Sequence, residues 1–254
     1  EDVEYAACSI ARTILSYLRN IKKHKRELLP LKILYMLHRD FPKERAKSEI
    51  VARILKEETK DVKLTIADYS ETEEYLGTTF DILIMDLTDD LKPNDLGRLI
   101  GIVRGGGIII LNPPEWSTWE NKLTLFQKEL ATPQHPEEKV RNIFIRWVKR
   151  KLMEHDGIFI YDLVRKRTLK TSKDVKVRKK EKKEIKIPEK VIFPRKLYEL
   201  ALTQDQVNVV KILEEFIERP RGERKKILVL TADRGRGKSC ALGIGVAGLI
   251  HELR

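Results

Sequence analysis

Two spacings of apolar residues alternate along the first two thirds of the chain. Ala7, Ile10, Ala11, Ile14, Leu15 and Leu18 recur at helical intervals and predict a helix over 4–22. After a basic connector at 24–30, Lys32-Ile-Leu-Tyr-Met-Leu37 is an apolar run that predicts a buried strand. Residues 42–58 predict a helix with Pro42 near its start and Ile50, Ile54 and Leu55 facing inward. Strands are expected at 62–67 and 80–86, and Phe80-Asp-Ile-Leu-Ile-Met-Asp86 is the most strand-like run in this half. A helix over 93–103 is broken by Gly105-Gly-Gly107, and 108–111 is a new strand. Asn112-Pro-Pro114 ends it, because proline cannot donate to a ladder. Trp116, Trp119, Leu123 and Phe126 fit one face of a helix. Residues 141–154 fit another, with Ile143, Phe144, Trp147, Val148 and Leu152 apolar and Arg146, Lys149, Arg150 and Lys151 toward solvent. Gly157 ends that helix, and 158–161 returns to a strand.

Strands alternating with helices imply a mostly parallel sheet covered by helices, a Rossmann-like α/β domain over 1–190. The triple glycine precedes a strand and lacks the spacing of a dinucleotide fingerprint, so it reads as a sharp turn with close backbone approach. The tryptophans read as core or domain contacts ahead of a base-stacking platform. Residues 165–186 break the pattern, with twelve Lys or Arg against three Asp or Glu. Residues 175–180 fit an exposed strand and 179–186 a linker, with Pro188 and Pro194 marking the passage into a second domain at 191–254.

That second domain begins with a helix from about 202 to 219, which Thr203 can cap with Gln206 at the capping-box position. Ile227-Leu-Val-Leu230 reads as a buried strand, followed by the glycine-punctuated turn Thr231-Ala-Asp-Arg-Gly-Arg-Gly237 and a small-residue helix from about Lys238. Strand, glycine loop, Lys-Ser and helix form the context of a phosphate-binding loop. Unpaired amides at the helix start would meet the phosphates. Lys238, the candidate catalytic residue, would reach the β and γ phosphates, and the Ser239 hydroxyl would ligate Mg²⁺. Gly235 and Gly237 let the backbone bend around the phosphates, and Asp233, Arg234, Arg236 and Cys240 complete the expected nucleotide-contacting stretch. Arg234, Arg236 and Lys238 crowd one turn, which is repulsive unless an anion neutralises them. The usual first glycine of such a loop is Ala232 here. Gln206 has two readings: helix capping, or an amide that pairs with an adenine edge.

Composition narrows the function classes. Among 254 residues, 51 are Lys or Arg and 39 Asp or Glu, a net charge of +12 that favours a polyanionic partner. The basic run and the polar side of 141–154 are expected to contact RNA phosphates, giving weak binding with little sequence preference. No stretch approaches the length of a membrane helix. Cys8 and Cys240, at opposite ends, suit neither a disulfide framework nor a metal site, so a cytoplasmic protein is expected. The chain stops one helix past the loop, which predicts a longer protein.

Two passages, Lys92-Pro-Asn-Asp-Leu-Gly-Arg-Leu-Ile-Gly-Ile-Val-Arg-Gly-Gly-Gly107 and Leu230-Thr-Ala-Asp-Arg-Gly-Arg-Gly-Lys-Ser239, resemble the tRNA(Met) cytidine acetyltransferase family, in an archaeal form. In that family Ala at position 232 is the expected form of the loop, and Leu202-Thr-x-x-Gln206 is similar to the adenine-contacting motif of helicase-like modules. The resemblance implies an N-terminal α/β domain followed by the start of a P-loop, helicase-like ATPase domain. It implies ATP (or GTP) with Mg²⁺ at the loop, acetyl-CoA bound outside this chain, and RNA as partner. The implied reaction acetylates the exocyclic amine of the wobble cytidine in elongator tRNA(Met). The same loop and basic surface also fit a nucleic-acid helicase or another P-loop RNA-remodelling ATPase, and an RNA-binding adaptor with a degenerate loop is a third reading.

Overall fold

Along β1 (Leu31–Leu37) the side chains divide between two cores. Leu31, Ile33, Tyr35 and Leu37 join one cluster, and Leu34 and Met36 join another. In β3 (Phe80–Asp86), Ile82 and Ile84 join the first and Leu83 and Met85 the second. Successive side chains on a strand point to opposite faces, so strands covered on both sides read as unbroken apolar runs. The computed structural model describes residues 2–24, 29–172, 184–218, 227–232 and 237–252. It divides into two compact units, Glu1–Lys176 and Val177–Arg254.

In the first unit, β2 (Val62–Asp68) and β4 (Val103–Asn112) join β1 and β3 in a four-stranded sheet of order β2-β1-β3-β4. Every pair in it is parallel. One face is covered by α1 (Val3–His24), through Ala7, Ile10, Ile14 and Leu18, and by α2 (Pro42–Glu58), through Val51 and Leu55. The other face is closed by α3 (Pro93–Leu99) and its 3-10 extension, by Trp119, and by Ile145 and Val148 of a later helix. Helices flanking a parallel sheet on both faces give the expected Rossmann-like layering.

Three local expectations fail in this unit, and a fourth is met by a shorter element. The triple glycine does not separate a helix from a strand but lies inside β4, where the register against β3 shifts between Phe80 and Ile82. Gly106 takes φ +84°, and a Cβ on Gly107 would collide with the Asp81 carbonyl and with Val103. The glycines thus form a bulge with close backbone approach. The Trp116-to-Phe126 helix is absent: this stretch holds a 3-10 turn at Trp119–Asn121 and the short α4 (Leu125–Lys128), capped by Thr124. Trp119 reaches the core from a single 3-10 turn, where helical periodicity carries no signal. In α5 (Ile143–Glu154) the buried residues are Ile145 and Val148, whereas Ile143 and Trp147 are 64% and 47% exposed. The expected strand at 158–161 is the three-residue β5 (Ile160–Asp162), paired antiparallel with β6 (Arg167–Lys170).

The second unit contains α6 (Arg195–Tyr198), α7 (Gln204–Glu218) and α8 (Lys238–Glu252) around Phe193, Tyr198, Val207, Val210 and Ile244. Ile185, Ile187 and Val191 pack against that cluster. Buried Glu214 ties it together by accepting from the Phe193 amide and the Tyr198 hydroxyl, both at 2.9 Å. The expected buried strand at 227–230 is irregular chain, with Ile227 81% and Val229 75% exposed. A strand needs a neighbour for its amides and carbonyls, and no other strand exists among the described residues of this unit.

Candidate functional site

α8 begins where the sequence places it, at Lys238, and the Ala241 amide donates to the Gly237 carbonyl at 3.0 Å. Gly237 has φ +80°, a conformation costly for other residues. A Cβ there would also collide with the Gln206 amide. The amides of Lys238, Ser239 and Cys240 lie in the first turn, where no intrahelical acceptor exists. Ser239 and Cys240 are exposed, and the Ser239 hydroxyl makes no hydrogen bond to a described residue. The Lys238 ammonium folds back to donate to the Ala232 carbonyl, tying the first residue of the expected loop to its end. Asp233, Arg234, Gly235 and Arg236 lie outside the described residues.

Gln206 is 6% exposed and committed at both ends of its amide. Its Oε1 accepts from the Leu202 amide at 2.7 Å, and its Nε2 donates to the Gly237 carbonyl at 3.4 Å. Thr203 caps α7 by accepting from the Gln206 amide at 3.3 Å. The glutamine thus reaches one residue further back than a capping box requires and joins the start of α7 to the start of α8. To pair with an adenine edge it must release Gly237 or Leu202.

The basic surface is less open than its composition implies. Lys149 donates to the Trp116 carbonyl at 2.7 Å and lies 5.1 Å from the Trp116 ring centroid. Lys170 donates to the carbonyls of Leu152 and His155, and Lys166 lies 5.2 Å from the Tyr5 ring centroid. Arg146 and Arg150 stay exposed on α5 beside Trp147, whose ring stacks on Phe144 with centroids 6.2 Å apart. Residues 173–183, which hold the expected exposed strand and most of the expected linker, lie outside the described residues.

Periodicity gave no sign of the polar centre at the carboxyl end of the first unit's sheet. Lys47, fully buried, donates to Asp86 at 2.9 Å and to Thr88 at 2.6 Å. Asn112 and the Tyr35 hydroxyl also donate to the Asp86 carboxylate, both at 3.2 Å. Nearby, buried Glu44 accepts from the His38 amide at 2.6 Å and meets its Nδ1 at 3.3 Å. Burial alone would lower the His38 pKa, but the hydrogen bond and charge of Glu44 outweigh it and the net shift is upward. The one available signal was an Asp closing an apolar strand. Among the described residues no cluster of His, Cys, Asp and Glu could hold a metal, and no helix is long and apolar enough to cross a membrane.

Comparison with known proteins assigns both units. The family described as "tRNA(Met) cytidine acetyltransferase TmcA, N-terminal" matches residues 6–163. "RNA cytidine acetyltransferase NAT10/TcmA, helicase domain" matches residues 229–254. The chain is 42% identical over 197 residues to a protein of Thermococcus kodakarensis named tRNA(Met) cytidine acetyltransferase TmcA, which covers 76% of this chain and 23% of that one. Proteins of the same name from Thermofilum pendens and Methanopyrus kandleri are 35% and 36% identical over 246 and 232 residues. They cover 96% and 86% of this chain but only 30% and 26% of their own lengths, so the chain spans a minor part of these curated relatives.

Proposed function

The chain belongs to the tRNA(Met) cytidine acetyltransferase family, and from that premise we propose that it supplies the N-terminal α/β domain and the opening of the ATPase module of a cytoplasmic RNA-modifying enzyme. The enzyme acetylates the exocyclic amine of the wobble cytidine in elongator tRNA(Met), with acetyl-CoA bound by residues outside this chain. The observation that best supports the nucleotide part is local. Lys238 and a Ser239 hydroxyl with no partner among the described residues stand in the first turn of α8, directly after Gly237 at φ +80°. These groups fit a nucleoside triphosphate with Mg²⁺.

ATP (or GTP), when bound, supplies the free energy of phosphoryl transfer. Lys238 would leave the Ala232 carbonyl to hold phosphate oxygens, and the Ser239 hydroxyl would be a ligand for Mg²⁺. The first-turn amides of α8 would donate to the phosphates, while Gln206 holds the loop's exit through Gly237. In the full-length protein, Lys238→Ala should lower ATP turnover by about a hundredfold or more, the usual cost of losing a charge aimed at a reacting group. Ser239→Ala should mainly raise the Mg²⁺ requirement. Wild-type turnover in the Lys238 variant would overturn the assignment of the loop. Turnover coupled to strand displacement without acetyl transfer would move the reading to a helicase or another P-loop RNA-remodelling ATPase.

A further inference from the structure

In a sheet of order β2-β1-β3-β4 the connections leave β1 and β3 in opposite directions, opening a crevice at their carboxyl ends where α/β proteins bind ligands. A cleft of about 400 Å³ lies at this edge of the sheet, within the range of small-ligand sites. Its walls come from the ends of three of the four strands: His38 follows β1, Asp68 ends β2 with Tyr69 just after it, and Lys92 and Asp95 follow β3.

Most polar groups around this cleft are already satisfied. Asp68 accepts from the Arg39 and Ser70 amides at 2.8 Å each and from the Ser70 hydroxyl at 2.7 Å. Tyr69 donates to the Asp86 carbonyl at 3.0 Å, and Arg98 is engaged by Thr72 and Glu73. Asp95 and Lys92 are exceptions. Asp95 is 5% exposed, lines the cleft, and accepts no hydrogen bond from a described residue. Burial raises its pKa, and Lys92, Arg98 and His38 only partly offset this. Its carboxylate oxygens keep contact with solvent in the cleft, where the N–H or O–H groups of a ligand would take the place of water. Lys92, also lining the cleft, makes no hydrogen bond or ion pair with a described residue. The aromatic surface is the His38 ring, tilted on Tyr69 with centroids 4.4 Å apart, together with Phe126.

The cleft therefore asks for a ligand with an anion for Lys92, N–H or O–H donors for Asp95, and a flat apolar part for the rings. We propose that it binds a nucleoside phosphate, either free or as an exposed nucleotide of an RNA strand. Asp95 accepts from ribose hydroxyls or a base amine, Lys92 meets the phosphate, and Phe126 packs against the base. This site lies in the first unit and does not depend on the phosphate loop.

The test uses the whole chain carrying Lys238→Ala, so that binding at the loop is removed and failure here leaves the reading of the loop untouched. Calorimetric titrations with 5′-AMP, 5′-CMP, a single-stranded pentaribonucleotide and inorganic phosphate are compared for this chain and for versions adding Asp95→Asn or Lys92→Ala. Binding of one equivalent of a monophosphate, weakened at least tenfold by each change, supports a free nucleotide. Binding of the oligonucleotide alone with the same sensitivity supports a nucleotide held within RNA. Near-ultraviolet circular dichroism checks folding, and if Asp95→Asn is misfolded, Lys92→Ala carries the comparison together with Asn94→Ala, at an exposed residue of the same cleft wall. No binding at millimolar concentration, or binding unchanged by these substitutions, overturns the proposal. So does phosphate binding as tightly as the nucleotides with no effect of Asp95→Asn, which would leave an anion site only.

Discussion

Ile82-Leu-Ile-Met85 and Ile227-Leu-Val-Leu230 are near-equivalent apolar runs with opposite fates. The first is completely buried at all four positions, whereas Ile227 and Val229 of the second are 81% and 75% exposed. β3 lies between β1 and β4, so both of its edges are hydrogen-bonded and both faces are covered. The chain at 227–230 has no strand beside it among the described residues. Apolar composition gives a segment the capacity to be a strand, but its burial belongs to the sheet that receives it.

The largest expected effect comes from breaking the end of the buried run. Asp86→Ala leaves the Lys47 ammonium enclosed without its carboxylate and should cost about 3–5 kcal/mol, the usual penalty for half of a buried ion pair. All three tryptophans lie in the first unit, so urea unfolding followed by their fluorescence reports on that unit. Pairing the change with Lys47→Met should recover much of the loss. A cost below about 1 kcal/mol would mean the network contributes little and the contrast between the runs rests on packing alone.

A direct comparison of the runs comes next. Ile84→Ala should destabilise by about 2–5 kcal/mol, as for other large-to-small core changes. Val229→Ala should change stability by no more than about 0.5 kcal/mol, as at other exposed positions. Hydrogen exchange read separately for the two units measures both. Equal costs at the two sites would break the comparison.

The same contrast explains how much the sequence reveals. β1, α2 and β3 are legible because two-sided burial and a proline-led helix leave strong local patterns. The start of β4 is hidden, since three glycines read as a breaker although Gly107 is needed where backbone meets the Asp81 carbonyl. The rotation of α5 is hidden too, because Ile143, Phe144, Ile145, Trp147 and Val148 offer apolar residues to more than one face. Lys238 and Ser239 are legible from their spacing, while Gln206 reaching back to Leu202 is a tertiary detail. The cleft leaves no trace in the sequence, because His38, Asp68 and Asp95 are brought together only by the strand order.

A smaller effect separates the units by pH. The His38 pKa is raised above its ordinary 6.5, with Glu44 outweighing burial. Its contribution is present below about 6.5 and lost as pH rises through the folded-state value. Glu214 has the opposite sign: burial raises its pKa, but Lys211, the Phe193 amide and Tyr198 outweigh that and hold it below 4.5. Its contribution is present above 4.5 and lost as pH falls through the depressed value. The first unit alone should therefore weaken as pH rises past about 6.5, whereas an acid loss is expected in both. In the second it comes from Glu214, and in the first from Asp68, whose burial is outweighed by the Arg39 and Ser70 donors that hold it below its ordinary value. Hydrogen exchange across a pH series reads both. His38→Gln should remove the alkaline response, and Glu214→Gln the second unit's acid one. An alkaline loss of the same size in both units would mean they do not unfold separately.

The smallest expected effects concern exposed residues. Ile227 and Val229 are bare apolar groups, whereas Trp147 on α5 is exposed between two arginines with unburied charge. Among the described residues, Arg146 faces Glu120 at 4.0 Å and Arg150 faces Glu154 at 3.7 Å, pairings that solvent screens easily. Lys149, next to Arg150 and about one turn from Arg146, has already given its ammonium to the Trp116 carbonyl and Glu120. If α5 contacts tRNA phosphates, changing Arg146 and Arg150 together to alanine should weaken tRNA binding and flatten its salt dependence. The expected change is about 0.9 in log-log slope for each duplex phosphate that is no longer neutralised. Lys149→Met should leave the slope unchanged and instead lower the stability of the first unit. Affinity measured across a salt series for the three proteins decides between these roles. Equal slopes throughout would remove α5 from the RNA surface, and a flattened slope for Lys149→Met would mean its ammonium leaves the Trp116 carbonyl to meet RNA.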